Sequence, residues 1–163
     1  IKYTVIGKYV ARFDSYQGSV EFDKKNNAVS AVSLEIQATT IHSKFPPLDK
    51  IVRSKRLLNT AQYPTIAFKS KSISKAEKGY IVVGVLDMHG AQKELSLPFN
   101  ITFWGDGIKR VRIISGQWPI NRKDFGIIWS QRLDKSGVLV GDDFTVSWKI
   151  IEPLKQPSTN FSN

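Results

Sequence analysis

The chain has 163 residues, 41% of them hydrophobic, with 24 Lys and Arg against 14 Asp and Glu and a net charge of +10. One domain of this length closes its own core without staples, and the absence of cysteine excludes disulfides, thiol nucleophiles and zinc–thiolate sites. The basic balance points to polyanions or an anionic membrane surface. Yet Lys24, Lys25, Lys55, Arg56, Lys69, Lys71, Lys109, Arg110 and Lys149 are spread along the chain, and no nucleic-acid motif accompanies them, so nucleic acid is set aside as a partner.

Residues 1–6 read as a first strand and residues 8–22 as a long second one, kinked near Gly18. Val20 and Phe22 share one face of it. No charged-then-apolar leader opens the chain, and no apolar run approaches the ~18 residues of a membrane span. A mature form with its signal peptide removed fits this start. After a turn at Asp23 to Asn27, residues 29–40 alternate: Val32, Leu34, Ile36 and Ala38 against Ser33, Glu35 and Gln37. A strand sends successive side chains to opposite faces, so one face here is apolar.

The pattern breaks between Pro46-Pro47 and Tyr63-Pro64. Two prolines and Asp49 suit a helix start, and Ile51, Val52, Lys55 and Leu58 fall at helical spacing. A short amphipathic helix is expected near residues 48–60. Strands resume at 64–74, where Ile66 and Phe68 precede alternating Lys and Ser, and at 79–88, with Leu86 and Met88 on one face. In 92–104, Leu95, Leu97, Phe99, Ile101 and Phe103 alternate with polar residues. Pro98 lies on the polar side and removes a ladder donor, so a bulge or local edge is expected there. Residues 108–121 and 140–151 complete the set, the last with Phe144, Val146, Trp148 and Ile150 on one face. Turn residues at 76–79, His89-Gly90, Gly105 to Gly107 and Lys135 to Gly137 separate the strands. The tail from Pro153 to Asn163 is polar and loose.

About eight strands, each with one apolar face, can close into a barrel. Strands of about ten residues span roughly 33 Å, long for a sandwich core and suited to a deep barrel. The fold class is therefore all-β: an eight-stranded antiparallel barrel with one short α-helix, over residues 1–152, followed by the tail at 153–163. The interior of such a barrel is either filled by its own side chains or holds a small ligand.

Catalytic chemistry is sparse. His42 precedes a proline-rich loop and His89 sits in a His-Gly turn, with no nucleophile and carboxylate beside either in sequence. Two histidines without cysteine show no metal spacing. Asp142 and Asp143 point to opposite faces at a strand start, which is turn chemistry rather than an acid–base pair. No phosphate loop occurs. A binding protein, not an enzyme, is expected, with no metal and no cofactor. Trp104, Trp118, Trp129 and Trp148 read as core, rim or cavity lining.

Four blocks, in order, resemble the YceI-like family of lipocalin-like, polyisoprenoid-binding bacterial proteins. They are Phe13 to Asp23, with its Gly18 and Phe22-Asp23; Val52-Arg53-Ser54 with Leu57-Leu58-Asn59 and Tyr63-Pro64 to Phe68; Gly84 to Gly90; and Ile120-Asn121-Arg122-Lys123-Asp124-Phe125-Gly126-Ile127. The chain departs from the family pattern at Leu48, Ile51 and Arg56, where polar or acidic residues are usual, while Asp49 is kept. Val83 and Val85 stand where outward polar residues are expected, which fits either a subunit contact or a strand-propensity choice; monomer and homodimer both stay open. The resemblance implies a lipocalin-like barrel that sequesters or carries a long apolar lipid: a polyisoprenoid, an isoprenoid quinone or a fatty-acid-like chain. It implies a periplasmic or secreted setting. Lining residues are expected on the apolar faces at Val20, Phe22, Leu34, Ile36, Ile66, Phe68, Leu86, Met88, Leu97, Phe99, Ile101, Val146 and Trp148. Arg53 and Arg122, in the polar blocks, are candidates for holding a head group through their several donors. The alternative is a basic surface protein that docks on anionic membrane or other polyanions, with the barrel as scaffold.

Overall fold

The structure, a computed structural model, describes residues 9–23, 25, 28–106, 109–128 and 141–154. The expected strand at 1–6, the turn at 135–137, Trp129 and most of the tail lie outside them. Among the described residues, seven strands form one antiparallel sheet: β2 (Tyr16–Phe22), β3 (Val29–Gln37), β5 (Thr65–Lys75), β6 (Tyr80–Met88), β7 (Ala91–Trp104), β8 (Val111–Asn121) and β9 (Asp143–Pro153). Every neighbour pair is sequential apart from β3–β5, and all are antiparallel. The sheet curls into a half-barrel, with Arg112 of β8 stacked 3.7 Å from the ring of Phe22 on β2. The all-β, barrel-type expectation holds, with seven strands in the described sheet rather than eight.

The long second strand divides, but not at Gly18. Gly18 pairs in register with Leu34. The break falls at Asp14–Ser15, whose backbone N–H groups both donate to the Thr40 hydroxyl at 3.2 and 3.1 Å. The leading piece, β1 (Ala11–Phe13), pairs instead with β4 (Ile41–Ser43). β3 correspondingly ends at Gln37, and Ala38–Thr40 forms a 3₁₀ turn.

The helix, α1, covers Pro46–Arg53, with both prolines in its first turn. It stops earlier than expected because Ser54 leaves helical geometry (ψ 168°) and its hydroxyl caps the Ile51 carbonyl at 2.7 Å. Turns follow, closed by Leu58 N–H to Val52 O and Thr60 N–H to Arg53 O. They bury Leu57, and Asn59 takes the left-handed conformation that ends the excursion (φ 45°). Leu58 therefore sits at helical spacing without lying on a helix.

Pro98 behaves as an edge. The β6–β7 ladder runs through it (Ile81↔Pro98), but β7 joins β8 only from Asn100 onward. The Trp118 indole donates to the Pro98 carbonyl at 3.0 Å, so a side chain supplies the donor that the ladder lacks there.

Candidate functional site

Ladder register places side chains on the two faces of the curled sheet, because directly paired residues share a face. Gly18, Leu34, Phe68 and Leu86 form one row across four strands. Tyr16, Ile36 and Ile66 form the next. Across the other strands run Tyr80–Phe99, Val82–Leu97, Ile101–Ile114–Ile150, Gly116–Trp148, Trp118–Val146 and Ile120–Phe144. All thirteen apolar residues singled out from the sequence belong to this face and to one packed cluster. Alternation is enough to sort them, since a one-residue slip would send the whole set to the other face.

Burial across this face is graded. The central residues Phe68, Val82, Leu86, Leu97, Phe99, Ile114, Trp118 and Ile120 are buried. Towards the two outer strands the same face opens: Val20, Phe22 and Leu34 on one side, and Val146, Trp148 and Ile150 on the other, are only half-buried. Tyr16 and Phe144, at the end nearer the helix, are exposed. The centre carries a chain of rings, with Phe68–Trp118 at 5.0 Å, Trp118–Trp148 at 5.1 Å, Phe99–Trp148 at 6.4 Å and Tyr80–Phe99 at 5.2 Å between centroids. The result is a trough with an aromatic floor and apolar walls that the described residues cover only in part.

One end of the trough is closed by polar chemistry that the sequence reading missed. Arg112 is buried on the inner face, between Phe103 and Glu152 in the ladders. It contacts Glu152 at 3.3 Å and lies over the Phe22 and Phe103 rings. The alternation Arg112, Ile114, Gly116, Trp118, Ile120 was available as its signal. At the other end, helix α1 is tied down through Asp49. Its carboxylate accepts from Tyr9 OH at 2.7 Å, Ser43 Oγ at 2.6 Å and Ser43 N–H at 3.0 Å. The Ser43 hydroxyl above all, with Tyr9 and Arg53, holds Asp49 below its ordinary value of 3.8. Burial, reinforced by the Asp49 hydrogen bond, pushes the Tyr9 phenol up to about 12.

Arg53 and Arg122 both bond to the protein's own backbone. Arg53 donates to the Ile41 carbonyl at 2.6 Å and so joins α1 to β4. Arg122 is buried and donates to Gly141 O at 2.9 Å, Ile127 O at 2.5 Å and Asp142 Oδ1 at 2.7 Å. Its carboxylate partner is Asp142. Both arginines fasten loops at the helix end, and neither shares the apolar face. The Asp142–Asp143 pair divides as turn chemistry requires. Asp142 bridges Lys123 and Arg122, chiefly Lys123, which lowers its pKa. Asp143 accepts from Asn121 at 2.8 Å. His89 meets the Phe125 carbonyl and packs at a tilt against Tyr63, with ring centroids 4.6 Å apart, while His42 contacts Asp14 at 2.9 Å. Among the described residues no cluster of three or more metal-ligating side chains occurs.

An open groove of about 390 Å³ lies over β2, β3 and β5, and it includes Leu34 and Phe68 among small and charged residues such as Ser19, Ser33, Glu35 and Lys69. It shares Leu34 and Phe68 with the apolar trough and adds polar neighbours from the same strands. Val83 and Val85 point to the outer face, half-buried beside Lys69, Ser72, Glu94 and Ser96.

The YceI-like domain family matches residues 1–151. A UPF0312 protein of Yersinia enterocolitica is 34% identical over 94 residues, which cover 58% of this chain and 49% of that protein. One from Yersinia pestis is 33% identical over the same length. The chain thus spans about half the length of these curated relatives. Among solved structures, the Campylobacter jejuni YceI protein superposes with a TM-score of 0.77 at 19% identity, covering 96% of this chain and 91% of that one. Burkholderia cenocepacia BcnA gives 0.72 at 20% identity and 86% of each chain. A polyisoprenoid binding domain from Saccharophagus degradans, implicated in plant cell wall breakdown, gives 0.65 at 14% identity and 94% and 90% coverage. At these identities the structural likeness is one of fold.

Proposed function

The chain belongs to the YceI-like family, and from that premise we propose that it binds and carries a long apolar lipid along the inner face of its curled sheet. The observation that carries this reading is the graded burial of one continuous apolar face. The protein packs the centre itself and leaves the walls on β2, β3 and β9 half-covered. A lipid chain laid there removes the remaining apolar area from water.

Magnitude sets the class of ligand. Each methylene buried contributes about 0.8 kcal/mol, while association costs at least ~4 kcal/mol and micromolar binding needs ~8 kcal/mol net. Roughly fifteen buried carbons are therefore required, which selects long chains such as polyisoprenoids, isoprenoid quinones or long fatty-acid-like tails over short amphiphiles. The likeness to a polyisoprenoid binding domain supports the same class. The role is one of binding rather than catalysis, and the setting that goes with it is periplasmic or secreted. Native mass spectrometry of gently purified protein tests the proposal. A retained mass matching such a lipid, or uptake of an added polyprenol, supports it. Failure to retain or take up any of these lipids refutes it.

A second reading has its own observation. On the outer face where β7, β8 and β9 meet, Trp104 is 71% and Ile151 58% exposed. Val111, Ile113 and Pro153 lie beside them in the ladders, with the exposed cations Lys109 and Arg110 on the adjoining turn. An aromatic–aliphatic patch beside positive charge suits the interface of an anionic bilayer. Docking there complements lipid carriage. Vesicle binding that falls steeply with salt, and that Trp104→Ser weakens, would support it.

A further inference from the structure

One polar atom in the apolar trough has nothing to bond. The Trp148 indole Nε1 is buried and has no hydrogen-bond partner. Its neighbour Trp118, edge-on at 5.1 Å, spends its own Nε1–H on the Pro98 carbonyl at 3.0 Å. Both nitrogens crowd one spot on β8: a Cβ on Gly116 would lie 2.8 Å from Trp148 Nε1 and 3.0 Å from Trp118 Nε1. Gly116 is the ladder partner of Trp148, so its missing side chain is what lets the indole lean over the strand. The great majority of buried donors in folded proteins are paired, and an unpaired one is unfavourable. Phenylalanine at this position would provide the same wall without that cost.

The rest of the Trp148 ring is half-buried on β9, at the open side of the trough. For Nε1 to reach a ligand, the ring has to tilt off Gly116 towards that open side.

We propose that Trp148 Nε1–H is the polar recognition point of the trough and donates to the carbonyl oxygen of a lipid bearing a ketone, quinone or amide group on its apolar chain. The inference rests on the lipid-binding reading above. A single neutral donor satisfies one carbonyl oxygen but offers no charge to an anionic phosphate. It therefore sorts ligands within the long-chain class, favouring neutral carbonyl lipids over bare hydrocarbons.

The test uses two probes presented from cyclodextrin and read by native mass spectrometry: farnesylacetone, an isoprenoid ketone, and an isoprenoid hydrocarbon of matching length. The unaltered chain should prefer the ketone by about tenfold, the upper end of one net hydrogen bond. Trp148→Phe should bring the two within about twofold. Replacing Trp148 by benzothienylalanine, which keeps the shape and lacks the N–H, should do the same, so a packing defect in the phenylalanine variant cannot imitate the result. The benzothienyl variant, which keeps the shape, should melt no lower than the unaltered chain when free of ligand. An undiminished ketone preference in the benzothienyl variant, or no preference in the unaltered chain, overturns the proposal while leaving lipid binding intact. If neither probe binds the unaltered chain, the lipid-binding reading falls and takes this one with it.

Discussion

Replacing Arg122 with alanine removes the fastener between the end of β8 and the start of β9. Among the described residues, the bonds lost are those to Gly141 O, Ile127 O and Asp142 Oδ1. Of these, the bond to Ile127 is fully buried. A hydrogen bond with one charged partner contributes about 1.5–3 kcal/mol, and a buried carbonyl left without its donor adds to the loss. The bonds to Gly141 and Asp142 are part-buried and add less, because water partly replaces the lost donor. The net cost is about 2–3 kcal/mol. A chain of this size shifts its midpoint by roughly 2–4 °C per kcal/mol, so Arg122→Ala should lower the melting temperature by about 5–10 °C. Arg122→Lys keeps the charge but not the planar fork and should recover less than half of that. Thermal unfolding followed by circular dichroism at neutral pH measures both. Lipid affinity, measured well below the melting point, should change less than about threefold. A melting temperature within about 2 °C of the unaltered chain together with a large loss of lipid binding would refute the fastening role and make Arg122 a ligand contact.

Other substitutions probe the packing and the charges. Gly84→Ala puts a Cβ 2.5 Å from Phe68 Cζ and 2.6 Å from the Lys69 carbonyl. The backbone oxygen cannot step aside, so overpacking should cost about 1–3 kcal/mol in a denaturant titration. Asp49 and Asp142 have folded pKa values below the ordinary 3.8. The stability they contribute is complete above that value and is lost as pH falls through the lower folded values. Melting temperature should therefore fall steeply below about pH 4, and Asp49→Asn should lower it at neutral pH and flatten that acid dependence. Trp104→Ser with Ile151→Ser should reduce co-sedimentation with anionic vesicles at low salt without changing the melting temperature by more than a degree or two.

Period-two alternation carries no information about which strands meet, yet it was enough to identify the inner face. Val20, Leu34, Phe68, Leu86, Phe99 and Trp148 share that face because each strand must turn one side inward, whatever its neighbours. What depends on contacts distant in sequence was less legible. The break at Asp14–Ser15 comes from the Thr40 hydroxyl, some 25 residues away, and no local residue announces it. The helix ends at Arg53 because Ser54 caps Ile51, while Leu58 keeps helical spacing by coincidence. The Arg122 block is recognisable in the sequence, but its partners at Ile127, Gly141 and Asp142 are set by a loop closure that spacing does not encode. Arg112 was legible and overlooked: it stands in the apolar register of β8, where a charge is unexpected until Glu152 and the Phe22 ring are brought to it.

Recovery of the bound molecule tests the central claim most directly. The protein is purified without detergent, washed at 1 M salt, where the Debye length falls to about 3 Å, and examined by native mass spectrometry and by extraction of the released lipid. Lipid seated on an apolar face should survive the wash, and the account predicts a retained adduct with the mass of one long-chain isoprenoid or similar lipid per chain. Leu86→Arg, which sets a charge in the centre of the trough, should abolish it. Protein that emerges without an adduct, refuses added polyprenol and quinone alike, and binds only anionic vesicles in a salt-sensitive way would contradict the account.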